Sequence, residues 1–503
     1  MFGFLKGRRA ATRGRRVGFT RMFAAAECSR LLRPWTWDGG FSNGEISAAL
    51  ATIRARSREM AKNSEHYLRW LDLFVANVVG DGVRFKSVPG VSEDDPLTID
   101  EAAAKFIQYH WWKWGASPGM ADVTGRKTFN AVCRLAAECW ARDGEAVVVL
   151  DRSAPNPYGL ALRVVRPDAL DETMNGRGAT DATVIRNGVE IDRATLRPVA
   201  YHFRADREDP TASRVLGRPV VRVPAADVLH VFTQRDECQT RGIPLGHAVL
   251  KKLKMLDEYN IAELVAARDE ANTTGVFCAP AGQGGEVGEY SDEEKAALTM
   301  PSESGTKYIL ENGWDYKTVT PTHPNREVTA FKNSMLRDIA SGLGLEYACF
   351  ANDWGGVSYS SVRAGTIAER DRWRILQAQF IEQFATPVFR AWLASFLRLS
   401  ASRPYVPEDF TRLSEHEFRG RTWEWVDPMK DVNAAAVAVA HGWKTDAQIA
   451  ADYGTDIDEN IDEAARLRPR KEAAGLLTGT QRAETGGGTG KENGDDEQAG
   501  CQG

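Results

Sequence analysis

The spacing of the apolar residues changes twice along this 503-residue chain, and that change limits the fold more than any single motif does. Leu50, Ile53, Met60, Tyr67, Leu68, Leu71, Phe74, Val75 and Val78 recur at near-helical intervals and predict a long helix over 45–79, stopped by the Gly-Asp-Gly at 80–82. A second helix is expected over 126–142. The pattern then shortens. EAVVVL (145–150), LALRVV (160–165), VAYHFR (199–204) and VLHVF (228–232) are short β-branched runs bounded by turn residues, with a hairpin at Asn187-Gly188. Helical spacing returns over 245–272 (about seven turns at 3.6 residues per turn), over 325–344, and from about 362 to 398. The last of these carries Ile367, Trp373, Leu376, Phe380, Ile381, Phe384, Val388, Trp392 and Phe396. The fold class is therefore α+β, with a mostly antiparallel sheet in the first half.

Two stretches interrupt this scheme. Between 273 and 324 come a strand (GVFCAP), a glycine-rich run (281–289), a helix (SDEEKAALTM) and further strands. Acidic Glu286, Asp292, Glu293 and Glu294 fall in this stretch, as a solvated face or a docking surface. After 420, RTWEWV reads as a strand, followed by two Ala-rich helices that each end on glycine, the second opened by a Thr-Asp cap. From about 472 the chain turns Gly-rich and polar, and disorder is expected. The aromatic FIQYHWWKWG (106–115) is expected to pack in the core through Trp111, Trp112 and Trp114, or to meet another subunit.

Composition excludes several functions. A net charge of -5 rules out a generally basic nucleic-acid binder, so any DNA contact is local or weak. The exception is the N-terminus, with seven Lys/Arg in its first 21 residues and no acid before Glu27: a disordered basic arm, or a contact with DNA or another acidic partner. Seven cysteines without a CxxC pair indicate reduced thiols. There is no HxxxH or HExxH, so no metal site of that kind, and no apolar run long enough to cross a bilayer. TGGGTGKE (485–492) lacks the first glycine and the final hydroxyl of a phosphate-binding loop, and GVSYS (356–360) lacks the last glycine of a nucleophile elbow. No catalytic residue, cofactor or metal is expected.

The order of several stretches resembles the lambda-type family of phage portal proteins. They are RARSREMAKNSEHYLRWLDLFVANVVGDGVRF (54–85), RVVRPDAL (163–170), ADVLHVFTQRDECQTRGIPLG (226–246), LGLEYACFANDWGGVSYSSVRAG (343–365) and DPMKDVNAAAVAVAHGWKTDAQIAADYGTD (427–456). The QTRGIP turn and the SYSS-R loop are the most specific; Ser358 stands where the family often has Asn, and Gly355-Gly356 lengthens the loop. The resemblance implies an elongated subunit of wing, stem, clip and crown, assembling into a ring of about twelve identical copies at one capsid vertex. Double-stranded DNA would pass through the channel without sequence preference. Partners would be the terminase large subunit, a major capsid or scaffold protein and a head–tail connector protein, in a virion component assembled in the host cytoplasm, with no membrane contact.

Mapped onto this chain, the resemblance implies a basic arm at 1–25, a wing at 26–244, stem helices at 245–272 and 325–344, and a clip at 273–324. A tunnel loop region follows at 345–361, then a long wing helix at 362–420, a helical crown at 421–470 and a disordered tail at 471–503. The clip would dock through Glu286, Asp292, Glu293 and Glu294. The DNA-contacting residues would be Asp353, Trp354, Gly355, Gly356, Val357, Ser358, Tyr359, Ser360, Ser361 and Arg363. A duplex carries one charge per about 1.7 Å of axis, and symmetry multiplies every contact by the subunit number, so a loop against moving DNA should be small and neutral. Arg363, unfavourable at a helix start, should pair with a carboxylate or point to DNA. Lys251, Lys252 and Lys254 should pair with Asp257 and Glu263 or face the channel. A DNA-acting nuclease and a capsid adaptor without a channel are the competing classes.

Overall fold

Ser64 divides the first long helical pattern in two. In the computed structural model, which describes residues 42–92, 95, 98–204, 220–272, 275–278, 315–318, 327–399, 402, 404–423 and 428–476, the expected single helix is α1 (Ser42–Asn63) followed by α2 (Glu65–Val78). Ser64 is extended (φ −103°, ψ 118°), so the axis breaks there. Next come β1 (Arg84–Ser87), α3 (Glu101–Ala116), α4 (Pro118–Ala121) and α5 (Phe129–Asp143). Eight strands follow: β2 (Glu145–Asp151), β3 (Ala161–Val165), β4 (Gly176–Arg177), β5 (Thr183–Arg186), β6 (Val189–Asp192), β7 (Pro198–Arg204), β8 (Val220–Pro224) and β9 (Val228–Phe232). The chain continues through α6 (Leu250–Asn272), β10 (Gly275–Cys278), β11 (Asp315–Thr318), α7 (Val328–Leu343), α8 (Tyr347–Ala351) and α9 (Tyr359–Phe380). A π turn (Ile381–Ala385) leads into α10 (Thr386–Phe396), then α11 (Phe410–Leu413), β12 (His416–Arg419), α12 (Pro428–Ala440), α13 (Asp446–Asp452) and α14 (Ile457–Ala473).

Among the described residues the pairings between strands are all antiparallel, with a single parallel bridge, Asp122 to Leu162, outside them. They form a three-stranded sheet (β3-β2-β9), a five-stranded sheet (β4-β5-β6-β7-β8) and the two pairs β1-β12 and β10-β11. The β5-β6 hairpin turns on Asn187 and Gly188 (φ 50° and 84°), the positive values that a two-residue turn between twisted strands requires. The expected strand RTWEWV is not one where it is described. Arg421 donates to Ala76 O (2.8 Å) and the Trp423 indole to Asn77 Oδ1 (2.8 Å), so this segment closes the end of α2, and the strand lies earlier, at β12.

One apolar core joins most of the helices to the three-stranded sheet. Trp70, Phe74 and Trp140 meet the α9–α10 rod through Trp373 and Phe380, and Trp111, Trp114 and Phe129 meet it through Phe384, Phe389 and Trp392. Trp112, by contrast, is 68% exposed, so only two of the three tryptophans of α3 are core. The rod also covers the outer edge of β9. Gln379 donates to Phe232 O and Phe232 N donates to Gln383 Oε1, each at 3.0 Å, satisfying backbone groups that would otherwise invite another strand.

At the centre lies a buried ion cluster. The Glu145 carboxylate, at the first residue of β2, accepts from Arg54 (2.7 Å), from Arg241 at both oxygens (2.6–3.1 Å), from the Gly242 amide (2.8 Å), and contacts His230 Nε2 (3.0 Å). Arg241 spends its remaining donors on the carbonyls of Pro167, Leu170 and Asn187, and Arg54 also reaches Asp143 O. Burial works to raise the Glu145 carboxyl, but Arg241, Arg54 and His230 hold it well below the carboxylate range. This packing needs Gly144 (φ 89°), because a Cβ there would lie 2.2 Å from Ile243 C.

Two stability measurements follow. Arg241→Ala strands a buried carboxylate and should lower unfolding stability by about 3–5 kcal/mol in urea titration; a loss below about 1 kcal/mol would contradict the cluster's role. In the five-stranded sheet, Glu190 is buried, which alone would raise its pKa, yet Arg222, the Ala179 amide, Thr183 and His202 bring it down to about 2 from 4.5. A lowered folded-state value stabilises above the unfolded value. The stability difference between the wild type and Glu190→Gln should therefore be full above pH 4.5 and vanish as pH falls towards 2.

Candidate functional site

The SYSS-R segment proves to be less loop and more helix than expected. Helix α9 starts at Tyr359, three residues before the expected 362, and Ser358 is its N-cap, accepting from Ser361 N at 3.2 Å. The Ser358 and Ser361 hydroxyls also lie 3.1 Å apart, and Ser361 Oγ donates back to Ser358 O at 2.9 Å. Tyr359, Ser360, Ser361 and Arg363 thus stand on the first turns of a helix. The loop itself is Asn352–Val357, preceded by the short helix α8, whose N-cap Glu346 accepts from Cys349 N.

The loop is closed from inside. Asn352 adopts a left-handed conformation (φ 53°) and its side-chain oxygen accepts from the Trp354 indole at 3.3 Å. Asp353 accepts from the Tyr347 hydroxyl (2.8 Å) and from Gly355 N (3.1 Å). The Tyr347 hydrogen bond, then the Gly355 amide, hold the Asp353 carboxyl below its ordinary value. Tyr347 in turn is pushed up to about 12 by burial and by Asp353, while the Arg337 guanidinium sits 4.7 Å over its ring. Gly356 (φ 74°) supplies the final turn into Val357.

Arg363 resolves its two options in favour of a carboxylate: it pairs with Asp431 of α12 at 2.9 Å. The outer surface is the consequence. Asn352, Trp354, Gly355, Gly356, Ser358, Ser360 and Ser361 are exposed and uncharged, whereas Asp353 and Arg363, the charged members, are half-buried and engaged. Behind the loop, Arg372 of α9 donates to Leu343 O at the end of α7, beneath Gly344, whose positive φ (67°) lets the chain leave the helix. Glu369 accepts from Glu346 N (2.8 Å) and the Trp373 indole (2.9 Å). Two helices therefore clamp the loop from both sides.

The other expected sites fare differently. Lys252 and Lys254 are paired, but not along α6: Lys252 reaches Asp338 of α7 (2.9 Å) and Lys254 reaches Glu59 of α1 (3.2 Å). Lys251 is exposed. Glu286, Asp292, Glu293 and Glu294, the basic arm at 1–25 and TGGGTGKE lie outside the described residues. Among the described residues no His/Cys/Asp/Glu group could hold a metal ion, and no helix is long and apolar enough to cross a membrane.

Residues 29–377 match the model of a family described as phage portal protein, lambda family. The chain is 31% identical over 429 residues to a probable portal protein of Halomonas phage phiHAP-1, covering 84% of this chain and 81% of the relative. It is 23% identical over 486 residues to portal protein B of Escherichia phage lambda, covering 88% of each. Among solved structures it is similar to a chain in the neck of an empty gene transfer agent particle (TM-score 0.47, 13% identity, 85% of this chain and 98% of that one).

Ser358→Ala removes the cap and should weaken the first turn of α9 by about 1 kcal/mol, read as roughly fivefold faster amide exchange at Ser361. Unchanged exchange would show that the cap holds nothing.

Proposed function

The chain belongs to the lambda family of phage portal proteins, and from that premise we propose that its copies close into a ring of about twelve around a channel in which the Asp353–Arg363 segment faces double-stranded DNA. The ring occupies one capsid vertex; DNA enters through it during packaging and leaves through it on ejection. The observation that carries this reading is that the segment offers no unpaired cation: Arg363 is paired with Asp431, and the remaining charge is the Asp353 carboxylate, which phosphates do not bind.

The physics runs from charge to motion. Each fixed cation near a duplex displaces a counterion and gains free energy at one register of the phosphate backbone. Moving DNA must surrender that gain at every step, and a ring multiplies the loss by its copy number. Serine hydroxyls and backbone amides exchange hydrogen bonds with phosphates without reading sequence. The Asp431 carboxylate cancels the charge of Arg363, while Asp353, fixed by Tyr347, stays an anion that gains nothing from phosphate. The channel wall then guides without gripping.

In this reading the wing is the core with its sheets, together with the α9–α10 rod. The stem is α6 and α7, the clip lies between them, and the crown is α12–α14. The protein performs no chemistry; a separate ATPase, the terminase, drives DNA through the ring while docked on the clip. A head–tail connector protein later takes its place, and the wing meets the capsid or scaffold protein.

Ser360→Lys is the cleaner test, because Ser358 is the cap. The variant should assemble to the wild-type mass yet package DNA several-fold more slowly at low salt, recovering as salt screens the new charge. Wild-type packaging rates at low salt would remove the segment from the channel wall.

A further inference from the structure

A cleft of about 1120 Å³ opens between α1, α2, α5 and the segment after β12. Its floor is apolar, with Leu71, Val75 and Leu135. Seven Lys and Arg side chains line it against four carboxylates. Two of those carboxylates are already neutralised: Asp143 by Arg58 and Arg142 (2.7 and 3.0 Å), and Glu138 by Arg142. Lys62 and Arg84 stand exposed at the rim with no carboxylate partner among the described residues. An apolar floor beneath a cationic rim fits an acidic amphipathic helix. It fits a duplex poorly, since phosphates would gain nothing from the floor and would meet the remaining Asp72 and Asp81.

The chain itself carries such a helix. α14 spans 17 residues and none of them is buried. Its first half places Ile457 and Ile461 four apart on one face, beside Asp458, Glu459, Asp462 and Glu463, and Ile461 is 59% exposed. Most helical stability in proteins comes from packing an amphipathic face, and this helix also carries Pro469 in its interior. Its own cleft is not that partner: Gly454 lines the cleft only three residues before α14 begins, yet the helix remains uncovered. Its base is fixed instead by Asp456, which pairs with Lys86 at 2.6 Å.

We propose that the first half of α14 seats in this cleft of a second copy, its isoleucines on the floor and its carboxylates against Lys62 and Arg84. The inference rests on the ring reading and adds which two surfaces of adjacent copies meet. Each copy supplies one helix and one cleft, so the contact is head-to-tail and propagates around a closed ring.

The test uses the full-length chain carrying Lys62→Cys and Ile461→Cys, treated with a short bismaleimide, with each single variant as control. The expected result is a ladder of covalent multimers from the double variant alone. A ring by native mass measurement without the ladder, or an internally linked monomer, overturns this inference and leaves the ring reading standing; a protein monomeric by mass overturns both. In a second arm, Asp462→Lys should raise the concentration for half-assembly at least tenfold and Arg84→Glu in the same chain should restore it. Assembly indifferent to Asp462→Lys, or without rescue, also overturns it.

Discussion

Glu145 is the residue on which the rest of the structure depends. A buried carboxylate costs several kcal/mol unless its geometry is fully satisfied, and here two guanidinium groups, an imidazole and an amide converge on it. Those groups come from α1, from β9 and from the QTRGIP turn, while Arg241 reaches on to carbonyls at Pro167, Leu170 and Asn187. Only one arrangement of α1, both sheets and the turn satisfies every donor. The cluster therefore specifies the fold more than it strengthens it, since an apolar replacement of the same shape could be as stable but would tolerate slippage.

The period of the apolar residues made the helices and the first-half strands legible in the sequence, and the hairpin at Asn187-Gly188 was written in its turn residues. What stayed hidden was long-range. Arg54 and Arg241 lie 91 and 96 residues from Glu145, and nothing in local spacing pairs them. QTRGIP was visible as a motif, but its reason, an arginine buried beside two glycines, needed three dimensions. RTWEWV misled because alternation of large side chains suits a strand, whereas Trp423 and Arg421 spend their donors on the end of α2. At the site, the Ser358-x-x-Ser361 spacing is a capping signal carried by the sequence, and it converts the end of the expected loop into the first turn of α9. Lys252 and Lys254, expected to pair with Asp257 and Glu263 or to face the channel, instead form ion pairs between helices.

The loop shows how charged residues are held fixed within a mostly uncharged segment. Asp353 and Arg363 are not replaced by polar residues; each is given a partner, so the segment keeps its rigidity while its cation is cancelled by Asp431 and its carboxylate is fixed by neutral donors. The same contacts tie it to its surroundings. Arg363 links it to α12, Glu369 and Arg372 link it to the end of α7, and Arg337 stacks on the tyrosine that holds Asp353. A disturbance at the tip is thus felt by helices on either side of it.

The π turn at Ile381–Ala385 sits between the half of the rod that bears the loop and the half that fills the core. One additional residue in a helical ladder rotates everything beyond it by about 100° relative to an uninterrupted helix. The rod is in effect two spindles on one shaft, clocked apart. Sequence drift on the distal spindle can re-aim the residues of the loop while the proximal one, locked by its tryptophan and phenylalanines, keeps its angular setting.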